Sequence, residues 1–321
     1  MGILVEGLWK DVPRDTRATG GEFIRDQSIF RGRVTADGAS GFKAEAGRYH
    51  LYVSYACPWA HRTLIFRALK GLEKAISVSV VDPFMDADGW VFSDRPGCVP
   101  DTVNGAARLH EIYTRAKGDF SGRVTVPVLW DRVSGTIVNN ESSEIIRMLN
   151  REFDAFAERR LPDMYPEALR PEIDRWNELV YRTVNNGVYR AGFATAQENY
   201  ERAARGLFAT LDLLEARLVG NRYLCGARLT EADWRLFTTL VRFDTVYHFH
   251  FKCNLRRLLD YPALWGYTRE LYQFPGVAPT VNFWHIKEHY YRSHPEFNPS
   301  RVVPIGPIVD FSGPHGREKL G

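Results

Sequence analysis

Hydrophobic and polar positions change period several times between residues 48 and 150. Tyr49–Tyr55 is dense in Tyr and Val and predicts a strand. Pro58–Lys70 follows with Ala60, Leu64, Ala68 and Leu69 on one helical face, and Gly71 stands ready as the C′ residue. Ile76–Val81 predicts a second strand. The polar, Gly- and Pro-containing stretch Asp82–Gly122 is too long for a plain connection, so it should be functional or partly helical. Val126–Asp131 and Thr136–Asn139 predict a hairpin around Arg132–Gly135, and Ser142–Leu149 another helix.

Beyond Pro162 and Pro166 the texture is helical throughout. Ile173, Trp176, Val180 and Val184 recur at helical spacing. Thr195-Ala-Gln-Glu198 reads as a capping box ahead of Tyr200, Ala204, Leu207, Leu211, Leu214 and Leu218, and Gly220 ends that run. Thr230-Glu-Ala-Asp233 is a second start signal, and further helices are expected from Pro262 to about Phe274 and over Thr280–Tyr291. Ahead of residue 48, scattered glycines and charges show no sustained period. The expected division is an extended N-terminal arm (1–47), an α/β domain (48–150), an all-helical domain (165–294) and a C-terminal loop tail (295–321).

Composition narrows the function. A chain of 321 residues fits about two domains. With 42 Lys and Arg against 39 Asp and Glu, the formal charge of +3 is too small and too scattered for a nucleic-acid or anionic-membrane surface. No stretch approaches the roughly 18 apolar residues of a spanning helix. The first residues lack a signal-peptide core, and Glu6 stands where a myristoylation motif needs Ser or Thr, so a cytoplasmic location is expected. The four cysteines (Cys57, Cys98, Cys225, Cys253) form no C-x-x-C pair, which argues against a disulfide scaffold or a zinc knuckle.

Cys57 has an unusual setting, because Cys57-Pro58-Trp59-Ala60 lies where a strand hands over to a helix. Cys57 is the expected N-cap, with Pro58 at the position that tolerates a missing N–H. Unpaired amides and the helix dipole there favour negative charge on sulfur, and thiolate is the reactive form. The competing reading is an inert, buried thiol. Val126-Pro127 puts a proline at a strand start, where a cis peptide would present the Val126 backbone to an extended peptide ligand. Glu141-Ser142 opens a helix, a place suited to a carboxylate; Glu141 would hold the adjacent ammonium, and Ser142 with its N–H the carboxylate. Each feature also has a purely structural reading, as a cap or a loop end.

The β-α-β then β-β-α order is the split arrangement of a thioredoxin-like fold. With strand-Cys-Pro-x-Ala-helix, Val126-Pro-Val-Leu129, the Glu-Ser dipeptide and an all-helical second half, the chain resembles a glutathione transferase. Tyr55-Ala-Cys-Pro-Trp-Ala-His-Arg62, Asn139-Asn-Glu-Ser-Ser-Glu144, Asn186-Gly-Val-Tyr-Arg-Ala-Gly-Phe193 and His285-Ile-Lys-Glu-His-Tyr-Tyr-Arg-Ser-His294 are similar to the glutathionyl-hydroquinone reductases, the Xi class. Gly21-Glu-Phe-Ile-Arg25 and Val303-Pro-Ile-Gly-Pro307 fit as well. The resemblance implies an α/β thioredoxin-like domain plus an all-α domain, glutathione as co-substrate, no metal and a homodimer. It implies Cys57 as nucleophile and Trp90, Arg123, Val126, Glu141 and Ser142 as glutathione ligands. Tyr189, Tyr247 and Tyr290 would bracket the aromatic acceptor, with Tyr189 or Tyr290 donating to its ring oxygen.

Ala60 stands where a dithiol oxidoreductase keeps its resolving cysteine, so Cys57 must be released by an external thiol. The expected reaction is removal of glutathione from a glutathionyl-hydroquinone. Its competitors are an Omega-like enzyme acting on dehydroascorbate or small disulfides and a non-catalytic module of the same fold. A metal enzyme is disfavoured. His285 and His289 are four apart on a helix, but Ile286 stands where a zinc protease has Glu, and His248 and His250 bring no further ligands.

Overall fold

The computed structural model describes residues 2–12 and 16–320. The N-terminal arm has too few residues per strand to show a period, yet it contributes four: β1 (Ile3–Val5), β2 (Leu8–Lys10), β3 (Val34–Thr35) and β4 (Phe42–Lys43). The domain that follows runs β5 (Tyr49–Val53), α1 (Pro58–Leu69), β6 (Ile76–Val80), α2 (Leu109–Ala116), β7 (Gly122–Arg123), β8 (Val128–Asp131), β9 (Thr136–Asn139) and α3 (Ser142–Arg151). Its four-stranded sheet has the order β6-β5-β8-β9, with β5 parallel to β6 and antiparallel to β8. A smaller sheet, β2-β1-β7, ties the start of the chain to the end of the long insertion, pairing Leu4 with Gly122.

Every residue of β5 is buried, as a strand flanked on both sides and covered on both faces must be. One of them is His50, whose ring bonds the Ser77 hydroxyl at 2.7 Å and the Ser79 hydroxyl at 2.9 Å on β6. Burial, and next the nearby Arg132 guanidinium, lowers the imidazole to about 4. The folded value lies below the unfolded one of about 6.5, so His50 supports folding fully above pH 6.5 and loses that support as pH falls toward 4. Across that window the wild type is expected to lose about 3 kcal/mol through this residue. Urea titrations at several pH values check it, because His50→Asn should remove most of that slope.

α1 closes on Lys70 as its C-cap, and Gly71, just beyond it, adopts φ +62°. Lys70 then bonds the Asn150 carbonyl at 2.9 Å and pairs with Asp154, locking α1 to the end of α3.

The helical part comprises α4 (Arg170–Val180), α5 (Gly187–Gly192), α6 (Gln197–Gly220), α7 (Glu231–Arg242), α8 (His248–His250) and α9 (Pro262–Gln273). A π-helical turn precedes α5 at Tyr181–Asn185, and another precedes α8 at Phe243–Tyr247. Of the two expected capping boxes only Thr230–Asp233 forms. α6 starts on Ala196 without a side-chain cap, because Thr195 Oγ1 bonds Thr16 Oγ1 at 2.8 Å instead. Gly192 lets Phe251 approach; a Cβ there would meet the Phe251 ring at 2.4 Å.

The chain forms two compact units that interleave in sequence. One comprises Asp26–Pro162, Pro279–Val302 and the described residues before 13; the other comprises the described residues from 16 to 25, Asp163–Ala278 and the tail from Val303. Helix α10 (Phe283–Ser293), expected with the helical half, therefore belongs with the thioredoxin-like unit. Polar contacts explain the assignment. Thr280 Oγ1 meets His61 Nε2 at 2.8 Å, His285 meets the Pro96 carbonyl at 2.8 Å, and Glu288 pairs with Arg95 at 2.7 Å.

Candidate active site

Cys57 is the N-cap of α1, in extended backbone, with Pro58 as the first helical residue. Its sulfur accepts the Ala60 N–H at 3.5 Å, and the thiol lies 3.5 Å from the Val126 carbonyl, toward which it donates. The side chain is half-buried, neither walled off nor fully solvated. Val126-Pro127 is a cis peptide. No described cysteine is in a disulfide. Among the other three, burial raises Cys98, pushes Cys225 up to about 12 and pushes Cys253 further still. Those three are thereby held as thiols.

At the head of α3, Glu141 is the N-cap. Its Oε1 accepts the Ser143 N–H at 3.0 Å and the Ser143 hydroxyl at 2.8 Å, while Ser28 Oγ donates to Oε2 at 3.3 Å. Ser142 is the first helical residue and is buried, and its hydroxyl accepts Arg62 Nη1 at 3.3 Å. Its N–H belongs to the first turn, whose amides have no partner inside the helix.

Arg62 is the residue that motif reading passed over. It is 1% exposed, its guanidinium lies 4.6 Å from the Trp59 ring centroid, and it links the helix headed by Cys57 to the one headed by Glu141. The signal that would have found it is a charged residue on an otherwise buried helix. Only Trp59 and Arg67 of α1 fall outside the buried set.

The remaining expected site residues divide between the units. Trp90 is buried and stacks on the His289 ring at 4.8 Å, while the His289 ring bonds the Pro83 carbonyl at 2.9 Å. Arg123, on β7, donates to the Gly2 and Val12 carbonyls at 3.2 and 3.1 Å, so it holds the first residues of the chain. Tyr290, on α10, is 2% exposed and meets His289 edge-on at 5.2 Å. Tyr189 and Tyr247 are in the helical unit, 6.0 Å apart, in an aromatic cluster with Phe251, which is 5.5 Å from each. Tyr189 is half-buried and Tyr247 fully buried. Among the described residues, no group of three or more His, Cys, Asp or Glu is placed to hold a metal ion.

Residues 56–152 match the family model for the N-terminal domain of glutathione S-transferases, and residues 197–270 the model for their C-terminal domain. The chain is 55% identical to the glutathionyl-hydroquinone reductase PcpF of Sphingobium chlorophenolicum, over 98% of each chain. It is also 55% identical to the glutathionyl-hydroquinone reductase YqjG of Escherichia coli, over 99% of each. The glutathione-bound structure of YqjG superposes with a TM-score of 0.91, covering 99% of both chains at 52% identity. A Xi-class enzyme from Natrialba magadii gives 0.93 at 51% identity, covering 100% of this chain and 97% of that one.

Proposed function

Because the chain belongs to the Xi-class glutathione transferases, we propose that it uses glutathione to reduce S-glutathionyl-hydroquinones to hydroquinones, with Cys57 as the nucleophile. The observation that carries the chemical step is the half-buried Cys57 sulfur at the head of α1, capped by the Ala60 N–H in a motif without a resolving thiol.

The substrate's glutathionyl part lies extended along Val126. Its γ-glutamyl carboxylate faces the first turn of α3 at Ser142, and its ammonium faces Glu141 Oε2; Oε1 already serves the helix cap. Arg62, bonded to the Ser142 hydroxyl, adds positive charge beneath the carboxylate. Trp90, stacked on His289, and Arg123, on β7, complete the set of residues that hold glutathione in this reading.

Cys57 thiolate attacks the glutathionyl sulfur. A Cys57–glutathione disulfide forms as the sulfur–aryl bond breaks, and the electron pair stays on the ring carbon, which takes a proton. A tyrosine hydroxyl, from Tyr189 or Tyr290, donates to the ring oxygen and stabilises charge there. A second glutathione thiolate then attacks the glutathionyl sulfur of the mixed disulfide. Oxidised glutathione leaves and Cys57 thiolate returns. Overall, one glutathione thiol and the thioether sulfur of the substrate are oxidised to the disulfide, and the aryl carbon is reduced.

The proposal extends to a cytoplasmic homodimer; among the described residues, no helix is long and apolar enough to cross a membrane. The test is oxidation of glutathione measured in parallel with a glutathionyl-hydroquinone and with dehydroascorbate. At equal concentrations the first should turn over at least about tenfold faster, since a pocket built for one acceptor rejects another through its unpaired polar groups. Faster turnover of dehydroascorbate would instead assign an Omega-like activity.

A further inference from the structure

Residues 16–25 leave the rest of the arm and belong to the helical unit, where they are fastened at several points. Thr16 Oγ1 bonds Thr195 Oγ1, the Gly21 carbonyl accepts the Thr195 N–H at 3.1 Å, and Glu22 pairs with Arg190 at 2.6 Å. α5 already packs along α6, so this fastening is not what joins those two helices. It carries Phe23 and Arg25 to the Tyr189 ring. Phe23 stacks near it at 6.2 Å, and the Arg25 guanidinium lies 4.8 Å from its centroid.

Arg25 Nε also donates to Asn186 Oδ1 at 3.0 Å. Asn186 precedes Tyr189 by three positions, nearly one helical turn, so one guanidinium grips both residues from the same side. Phe193, Tyr247 and Phe251 surround the ring at 6.3, 6.0 and 5.5 Å. A cation over the face of a phenol fixes the ring and makes its O–H a stronger donor, because it stabilises negative charge drawn onto the ring.

We propose that Arg25, stacked on Tyr189 and bonded to Asn186, is a positioning residue that aims and strengthens the Tyr189 hydroxyl toward the oxygen of the aromatic acceptor. The assignment rests on the reductase reading above and names the device that prepares one of its tyrosines. Arg25 touches neither glutathione nor the reacting sulfur in this account. Its effect is confined to the turnover of aromatic substrates.

The experiment compares wild type, Arg25→Met, Arg25→Lys, Tyr189→Phe and the double variant Arg25→Met/Tyr189→Phe, with kcat and KM measured on a glutathionyl-hydroquinone. A parallel assay follows exchange with 2-hydroxyethyl disulfide, which has no ring oxygen to receive the bond. Tyr189→Phe and Arg25→Met are each expected to lower kcat about tenfold on the aromatic substrate, with KM changed by less than about twofold. The double variant should be no slower than Tyr189→Phe alone, and Arg25→Lys should recover most of the loss. Losses that multiply in the double variant overturn the role of Arg25, as does a Tyr189→Phe enzyme as fast as wild type or an equal loss in the disulfide assay. A wild-type enzyme that releases no hydroquinone overturns the underlying reading instead.

Discussion

Replacing Cys57 by alanine is expected to lower turnover of a glutathionyl-hydroquinone by at least about a thousandfold, which corresponds to about 4 kcal/mol of lost transition-state stabilisation. The reason is chemical rather than steric. Without the sulfur no mixed disulfide forms, and the other cysteines are raised by burial and do not substitute for it. Serine should fail equally as a reductase, because an alcohol cannot carry the glutathionyl sulfur. Yet Cys57→Ser keeps the α1 cap and leaves the proposed glutathione ligands Val126, Glu141 and Ser142 in place, so its dissociation constant for glutathione should stay within about threefold. Loss of turnover without loss of binding is the signature, read by steady-state kinetics beside calorimetric titration.

The second large effect concerns stability. Asp233 is fully buried in the helical unit. Its Oδ2 accepts the Thr230 N–H at 2.8 Å and its Oδ1 the Leu224 N–H at 2.9 Å and the Tyr267 hydroxyl at 2.9 Å. Asp233→Ala deletes the capping box and leaves these three donors without an acceptor where water does not reach. Each such orphan costs about 1–3 kcal/mol, so a destabilisation of at least about 3 kcal/mol is expected, seen as a fall in melting temperature of roughly 6–12 °C. Asp233→Asn keeps one acceptor oxygen and should fall between. An alanine variant melting within about 2 °C of wild type would show that the network contributes little.

The same capping pattern occurs at Thr195–Glu198 and at Thr230–Asp233, and only the second closes. Local sequence specified both equally. The difference is made by Thr16, which lies 179 positions before Thr195 and takes its hydroxyl. Long, dense elements such as α1, α6 and the sheet strands were readable because their own residues dictate burial. The partner of a helix was not, and α10 went to the other unit through carbonyls and side chains at Pro83, Arg95 and Pro96. At the site, Cys57, Val126, Glu141 and Ser142 announced themselves by standing at strand and helix starts. Arg62, Asn186 and Arg25 lie inside motifs that carry the family resemblance, but their partners are set by contacts made across the fold, which no local pattern specifies.

The most direct measurement is intact-mass analysis of wild-type protein, fully reduced and freed of glutathione, after mixing with a glutathionyl-hydroquinone alone. The account predicts one added glutathionyl group, mapped by peptide digestion to Cys57, with hydroquinone released in equal amount and the adduct removed by fresh glutathione. Hydroquinone release with no adduct, or an adduct carried by another cysteine, would contradict it.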